Sequence, residues 1–337
     1  MTIDMHAHWV PPALSAELRA RKKAPHIVRT ESGEEKLDNG GKRLIGLPEG
    51  FDDDLAARLA EMDATGIEQG LLSLATQYHI EGLPLEEALP LCRMFNDAVS
   101  AACAAHPTRF RALALLPVLD IPGAVTEFER AMALPGMAGA LLVGDGFLSK
   151  RRAERYRPLL EAADRRNAIL FIHYGHLPDD PEAPHFDMSD NIFVRTVTLD
   201  FQARLSANMV TFCLTDFLER YPNLRVMSHN LGGNIPFEIE RMDHRAIIAE
   251  GPDTVLPSAK FRAAPLLLDC NSLGARAIEM ATEVYGEGKV VFGSDGTLFG
   301  ARWTFDAIEK ARIPPSAKQA ILRGNALAAL SRVKTEN

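Results

Sequence analysis

The feature that most constrains this chain is a rhythm. Short apolar runs alternate with longer amphipathic stretches along all 337 residues. The short runs fall at residues 2–8, 68–74, 110–116, 139–143, 168–173, 225–228, 265–270 and 289–293. Each has the length and residue types of a fully buried strand. Between them, apolar residues recur with helical spacing over residues 53–65, 85–106, 121–132, 153–166, 196–221, 236–250 and 275–285. Strands separated by helices imply a parallel sheet, because a parallel neighbour needs a crossover. Eight such units predict an α/β fold of the (β/α)8 TIM-barrel type, with a doubly wound open sheet as the rival. The length also suits one barrel, so residues 1–337 read as a single domain. Two further helical stretches, 303–311 and 316–330, come after the eighth strand and are expected to cap the barrel.

Two segments interrupt the rhythm. Residues 10–50 are polar, include the charge run Arg19-Ala20-Arg21-Lys22-Lys23, and read as an insertion after the first strand. At the mouth of a barrel such an insertion is expected to act as a lid, and its charge run as a solvated face. Residues 175–190 are rich in Pro and Asp and read as a loop.

In a parallel barrel the carboxyl ends of all strands meet on one face, where the active site lies. His6 and His8 end the first strand, two residues apart and therefore on one face of it. His173 ends the fifth, His229 follows the sixth, and Asp295 follows the eighth. Four imidazoles and a carboxylate thus gather on one rim from remote parts of the chain. Imidazole and carboxylate are ligand types that suit Zn2+ and related divalent ions. Any one of these histidines alone reads equally well as a packed or surface residue, and Asp295 beside Gly296 as a turn. The coincidence of position is the signal. Around the rim, Trp9 reads as a pocket wall or as core. His176 and His185, in the loop after the fifth strand, read as substrate contacts or exposed loop histidines. Arg195 and Tyr78 are weaker candidates of the same kind. Gly232 and Gly233 lack the G-x-G-x-x-G spacing of a phosphate-binding loop.

The formal net charge of -8 argues against a nucleic-acid partner. It leaves room for a small anionic organic substrate. Cys92, Cys103, Cys213 and Cys270 form no C-x-x-C pair and stand among apolar neighbours. Buried free thiols in a reducing, cytoplasmic setting are expected. There is no basic segment followed by an apolar one at the N-terminus, and no apolar run long enough to span a bilayer, so no membrane role is expected.

The runs Ile3-Asp4-Met5-His6-Ala7-His8-Trp9, Leu170-Phe171-Ile172-His173-Tyr174-Gly175, Asn223-Leu224-Arg225-Val226-Met227-Ser228-His229 and Val290-Val291-Phe292-Gly293-Ser294-Asp295 resemble the amidohydrolase superfamily. The block around His229 is closest to its branch of aminocarboxymuconate semialdehyde decarboxylase and related nonoxidative decarboxylases. The resemblance implies that His6, His8, His173 and Asp295 hold one divalent metal, Zn2+ or in some members Mn2+. It implies that His229 is a neighbouring acid/base and that Asp295 takes part in catalysis. No lysine follows the fourth strand to bridge a second metal. Arg241 stands where the family carries an arginine for the substrate carboxylate, often across a dimer interface. An ion pair with Glu238 is its bland alternative. A homodimer or higher homo-oligomer is therefore expected. Two loops depart from the branch: His229-Asn230-Leu231-Gly232-Gly233 is one residue longer before the proline, and Gly296-Thr297 replaces an aromatic and proline. The implied activity is decarboxylation of a small carboxylated aromatic or enolic substrate. Metal-dependent hydrolysis of a C–C or C–N bond is the alternative.

Overall fold

The computed structural model describes residues 1–41, 43–48, 50–52, 55–177, 189–296 and 300–334. His185, Asp53, Thr297 and most of the 175–190 loop lie outside the described residues.

The first strand, β1 (Thr2–His8), is buried along its whole length. The chain then leaves the barrel for helix Pro12–Ala20 and three short strands, β2 (His26–Arg29), β3 (Glu35–Asp38) and β4 (Ile45–Gly46). These three pair antiparallel as a small separate sheet. The main sheet resumes with β5 (Ile67–Ser73), β6 (Phe110–Ala114), β7 (Met137–Val143), β8 (Ile169–His173), β9 (Arg225–Ser228), β10 (Leu266–Asp269) and β11 (Val290–Val291). Its order is β1-β5-β6-β7-β8-β9-β10-β11 with every pair parallel.

The two ends of the sheet meet. Met5 N–H donates to the Phe292 carbonyl at 2.9 Å, Asp295 N–H to the His6 carbonyl at 2.8 Å, and Ala7 bridges Gly296 in parallel. The side chain of Asp4 strengthens this seam by accepting from the Ser294 backbone N–H at 3.0 Å. The architecture is therefore a (β/α)8 barrel rather than an open doubly wound sheet. The expected C-terminal cap is present: Phe292 N–H donates to the Ile321 carbonyl, and the Asn325 amide donates to that of Val290.

Most strands run within a residue or two of the sequence expectation because buried parallel strands are continuous apolar runs. The eighth is shorter, since Phe292 bonds to the C-terminal segment and to β1 instead of continuing the β10 ladder. The fifth helix pattern, 196–221, is one continuous periodicity in sequence but two pieces in space. It starts at Ile192, ends at Cys213, and resumes as a single turn at Phe217–Arg220. Gly139 shows how tightly the wall is packed: a Cβ there would stand 1.8 Å from the Ile169 carbonyl. That close approach keeps Val143 in register with His173.

Residues 10–50 are more ordered than their polarity suggested. The charge run is largely ion-paired rather than merely solvated: Arg19 binds Glu35 and Asp52, while Arg21 and Lys23 share Glu87. All four cysteines are buried and unpaired. Among the described residues no helix is long and apolar enough to cross a membrane.

Candidate metal centre

The carboxyl ends of β1, β8, β9 and β11 deliver His6, His8, His173, His229 and Asp295 into one buried cluster. Asp295 adopts a left-handed backbone, φ 53°, which turns its carboxylate back over the barrel mouth after β11. A non-glycine residue pays conformational energy for that geometry, and such strain gathers at functional sites. The His6 ring centroid lies 4.8, 5.1 and 4.7 Å from those of His8, His173 and His229. The His173 and His229 rings stack at 4.2 Å.

The outer nitrogens of the rings are tied to acceptors. His8 Nδ1 stands 3.0 Å from Ser73 Oγ, whose hydroxyl itself donates to the Ala7 carbonyl. His173 Nδ1–H donates to the Tyr174 carbonyl at 2.8 Å, beside Thr76 Oγ1. His6 Nδ1 faces Asp269 Oδ1 at 3.3 Å. With Nδ1 carrying the proton, each ring turns the lone pair of Nε2 inward. His6 Nε2 and His8 Nε2 are then 3.1 Å apart, with Asp295 Oδ1 3.6 and 3.3 Å from them. His173 Nε2 is buried and has no hydrogen-bond partner among the described residues.

Lone pairs and a carboxylate facing one another at such distances repel unless a cation lies between them. Two ligands each about 2.1 Å from one tetrahedral ion stand about 3.4 Å apart. The observed 3.1–3.6 Å separations bracket that value, so these residues fit a single divalent ion. Electrostatics agrees. Burial, with Asp295 opposing it only in part, holds His8 below its ordinary pKa. Burial and the neighbouring imidazoles hold His173 and His229 well below it. Their neutral forms, the ones that ligate, therefore prevail at pH 7. Burial would push Asp295 up, but His6, His8 and His173 outweigh it and keep the carboxylate ionised. His6 is the exception: burial pulls it down, yet Asp269 and Asp295 leave it raised.

Several members of the cluster were not singled out from the sequence. Asp269 and Asn271 come from the end of β10. Asp269 is fully buried, and the Asn271 amide nitrogen lies 3.0 Å from both His6 Nδ1 and His229 Nε2. Their i, i+2 spacing at a strand's carboxyl end is the same pattern that singled out His6 and His8. Tyr174 and Phe201 stack face to face at 3.9 Å and 11°, and Phe201 meets the His229 ring edge-on at 5.0 Å. This makes an aromatic shelf beside His229.

The outer candidates fare differently. Trp9 is buried next to His8. His176 is half exposed and faces Asp145 Oδ2 at 3.3 Å. Arg195 is bound to Asp190, away from the cluster. Arg241 is exposed on helix Ile235–Glu250, and no described ion pair joins it to Glu238. Gly232 and Gly233 serve packing: a Cβ on Gly233 would strike the Gln202 carbonyl at 2.5 Å.

A parallel barrel with a histidine-rich cluster at its carboxyl-terminal mouth defines a metal-dependent barrel enzyme. The Amidohydrolase family model matches residues 3–332, and the chain belongs to that family. It is 25% identical over 285 residues to gamma-resorcylate decarboxylase of Rhodococcus jostii, covering 79% of this chain and 84% of that protein. It is 27% identical over 270 residues to the protein of the same name from Polaromonas, covering 75% and 78%. Among solved structures it resembles 5-carboxyvanillate decarboxylase from Sphingomonas paucimobilis, with a TM-score of 0.74, 23% identity and 99% of each chain covered. It also resembles dihydroxybenzoic acid decarboxylase from Polaromonas with bound manganese and 2-nitroresorcinol, with a TM-score of 0.68 and 19% identity over 98% and 96% of the chains.

Proposed function

We propose that this protein is a metal-dependent, nonoxidative decarboxylase of a small aromatic carboxylic acid. In this reading His6, His8, His173 and Asp295 hold the ion, and His229 handles the proton. The reading rests above all on His229. Its ring is buried against the proposed ligand His173 on one side and the Phe201 shelf on the other, and its Nδ1 has no partner among the described residues. A proton-transfer group pressed between a cation site and an aromatic surface suits chemistry at a ring carbon. The decarboxylase relatives point the same way.

A bound divalent ion supplies a Lewis acid that fixes the substrate's oxygens and offsets their charge. The chain's own residues do the rest. The Tyr174–Phe201 shelf packs the ring face and excludes water. Burial keeps His229 neutral in the free protein, so it acts as a relay, taking a proton from solvent and passing it to the substrate. That proton joins the ring carbon bearing the carboxylate. The C–C bond then breaks, its electron pair returns to the ring, and CO2 leaves.

The nitrogen-rich ligand set favours Zn2+, with Mn2+ second. Residues 1–337 act as one metal-dependent domain, with 10–50 as an insertion over its mouth. A homodimer in which Arg241 serves a neighbouring site belongs to the same reading; Phe237, four residues before it, is 77% exposed. Four buried thiols suit a reducing cytoplasm.

The test is a panel of hydroxybenzoates given to metal-loaded protein in D2O and in 18O-water. Release of CO2 with deuterium at the vacated ring position is the expected result. Incorporation of water oxygen without CO2 release would overturn decarboxylation in favour of hydrolysis.

A further inference from the structure

A cleft with room for one water-sized group, about 20 Å3, opens beside the metal centre. His8, Trp9, Ala75 and Tyr78 form its barrel side, and Pro48 and Phe51 from the insertion form its other wall. His8 lines this cleft and belongs to the ligand cluster, so the cleft adjoins the proposed ion site across one imidazole.

The insertion wall is built, not draped. Phe51 N–H donates to the Pro48 carbonyl at 3.1 Å, closing a tight turn. The Arg19 guanidinium lies 5.6 Å from the centre of the Phe51 ring. The next residue, Asp52, is held by Ser15 Oγ at 2.6 Å and by Arg19 at 2.8 Å. Helix Pro12–Ala20 thereby holds Phe51 in the wall of the cleft. Apart from His8 and Gln77 the lining is apolar or aromatic, and among the described residues no lysine or arginine lines the cleft. An apolar space of this size takes a small hydrocarbon group in preference to a charged one.

We propose that this cleft is a specificity subsite that receives one methyl-sized, uncharged substituent of the substrate ring, and that Phe51 sets its size. The proposal rests on the reading of the substrate as an aromatic carboxylate. It makes the insertion a fixed selectivity wall, whatever motion it also has.

Binding can be separated from turnover by titrating metal-loaded protein with unreactive nitrophenols, in which a nitro group replaces the carboxylate. At one ring position, methyl in place of hydrogen should tighten binding about fourfold, the value of one buried methyl group. Propyl or carboxylate at that position should weaken binding tenfold or more. Phe51→Ala should restore propyl binding at least tenfold while changing the unsubstituted compound less than threefold. Phe51→Leu should fall between, and its thermal unfolding controls for folding. Equal binding of the methyl and carboxylate compounds, or a parallel loss for every compound in Phe51→Ala, would overturn the subsite. CO2 release without any substituent preference sinks the subsite alone. The expected preference without CO2 release from matching carboxylates keeps the subsite and sinks the decarboxylase reading.

Discussion

The two histidine roles proposed at the barrel mouth are separable by substitution. His173 turns an unpartnered Nε2 into the cluster, so His173→Ala removes a ligand and leaves a cavity that water fills. Elemental analysis should then show metal content falling well below one ion per chain, and activity falling with it. His229→Asn should retain the ion, because all four proposed ligands are untouched. Its turnover should drop by about 10²–10⁴, the usual worth of a positioned acid/base. Loss of metal from His229→Asn, or full retention in His173→Ala, would reverse the assignment. The histidines were legible in sequence because imidazole is a rare and chemically marked side chain. Ser73, Thr76, Asp269 and Asn271 were not, although they fix three of the rings. Serine, threonine and asparagine occur at every turn. Only the closed barrel, which gathers the strand ends on one rim, reveals which ones face an imidazole.

At the level of elements, what sequence made plain was the wall, and what it hid was the dressing. Buried parallel strands must be apolar on both faces, so their runs stand out. The insertion's helix Pro12–Ala20 and strands β2–β4 bury only isolated apolar side chains, Leu14, Leu18, Ile27 and Leu37, and ion pairs such as Arg19–Glu35 add to the hold between them. Polar pairing of that kind leaves no periodic trace. Helix Pro257–Ala263 was missed for its shortness. The turn Ile80–Gly82 after β5 hides a further surprise. Glu81 is buried, neither carboxylate oxygen has a partner among the described residues, and burial pushes its pKa up from 4.5 to about 8. Between those values the folded chain keeps a proton that the unfolded chain has lost. Stability must therefore fall as pH rises through this window, by about 1.4 kcal/mol per pH unit at most, and level off above pH 8. Glu81→Gln keeps the shape and cannot ionise. Its urea midpoint should match the parent near pH 4.5 and exceed it at pH 8. Equal pH slopes in the two proteins would show that Glu81 finds water or a partner in solution.

Across the whole molecule, the metal centre and the barrel's closure depend on the same residues. His6 and Asp295 flank the seam where β1 meets the end of β11, and the bond from Asp295 N–H to the His6 carbonyl crosses it. Strand β11 is only Val290–Val291, so its ladder to β10 is short. Closure leans on the residues just beyond it, with Ser294 bound to Asp4 and Asp295 within reach of His6 and His8. A divalent ion held by those groups would tie β1, β8 and β11 together and relieve the mutual repulsion of their inward lone pairs. Binding to the folded chain alone adds about 2.7 kcal/mol when free metal is a hundredfold above its dissociation constant. Thermal unfolding of chelator-treated protein should therefore begin several degrees below that of the metal-loaded form. Hydrogen exchange should quicken first at the Met5 and Asp295 amides, which bond across the seam. Restoring the ion should reverse both effects in the parent and neither in His173→Ala. If chelation lowers activity but leaves unfolding and the seam amides unchanged, the ion is a reagent held in a barrel that closes without it.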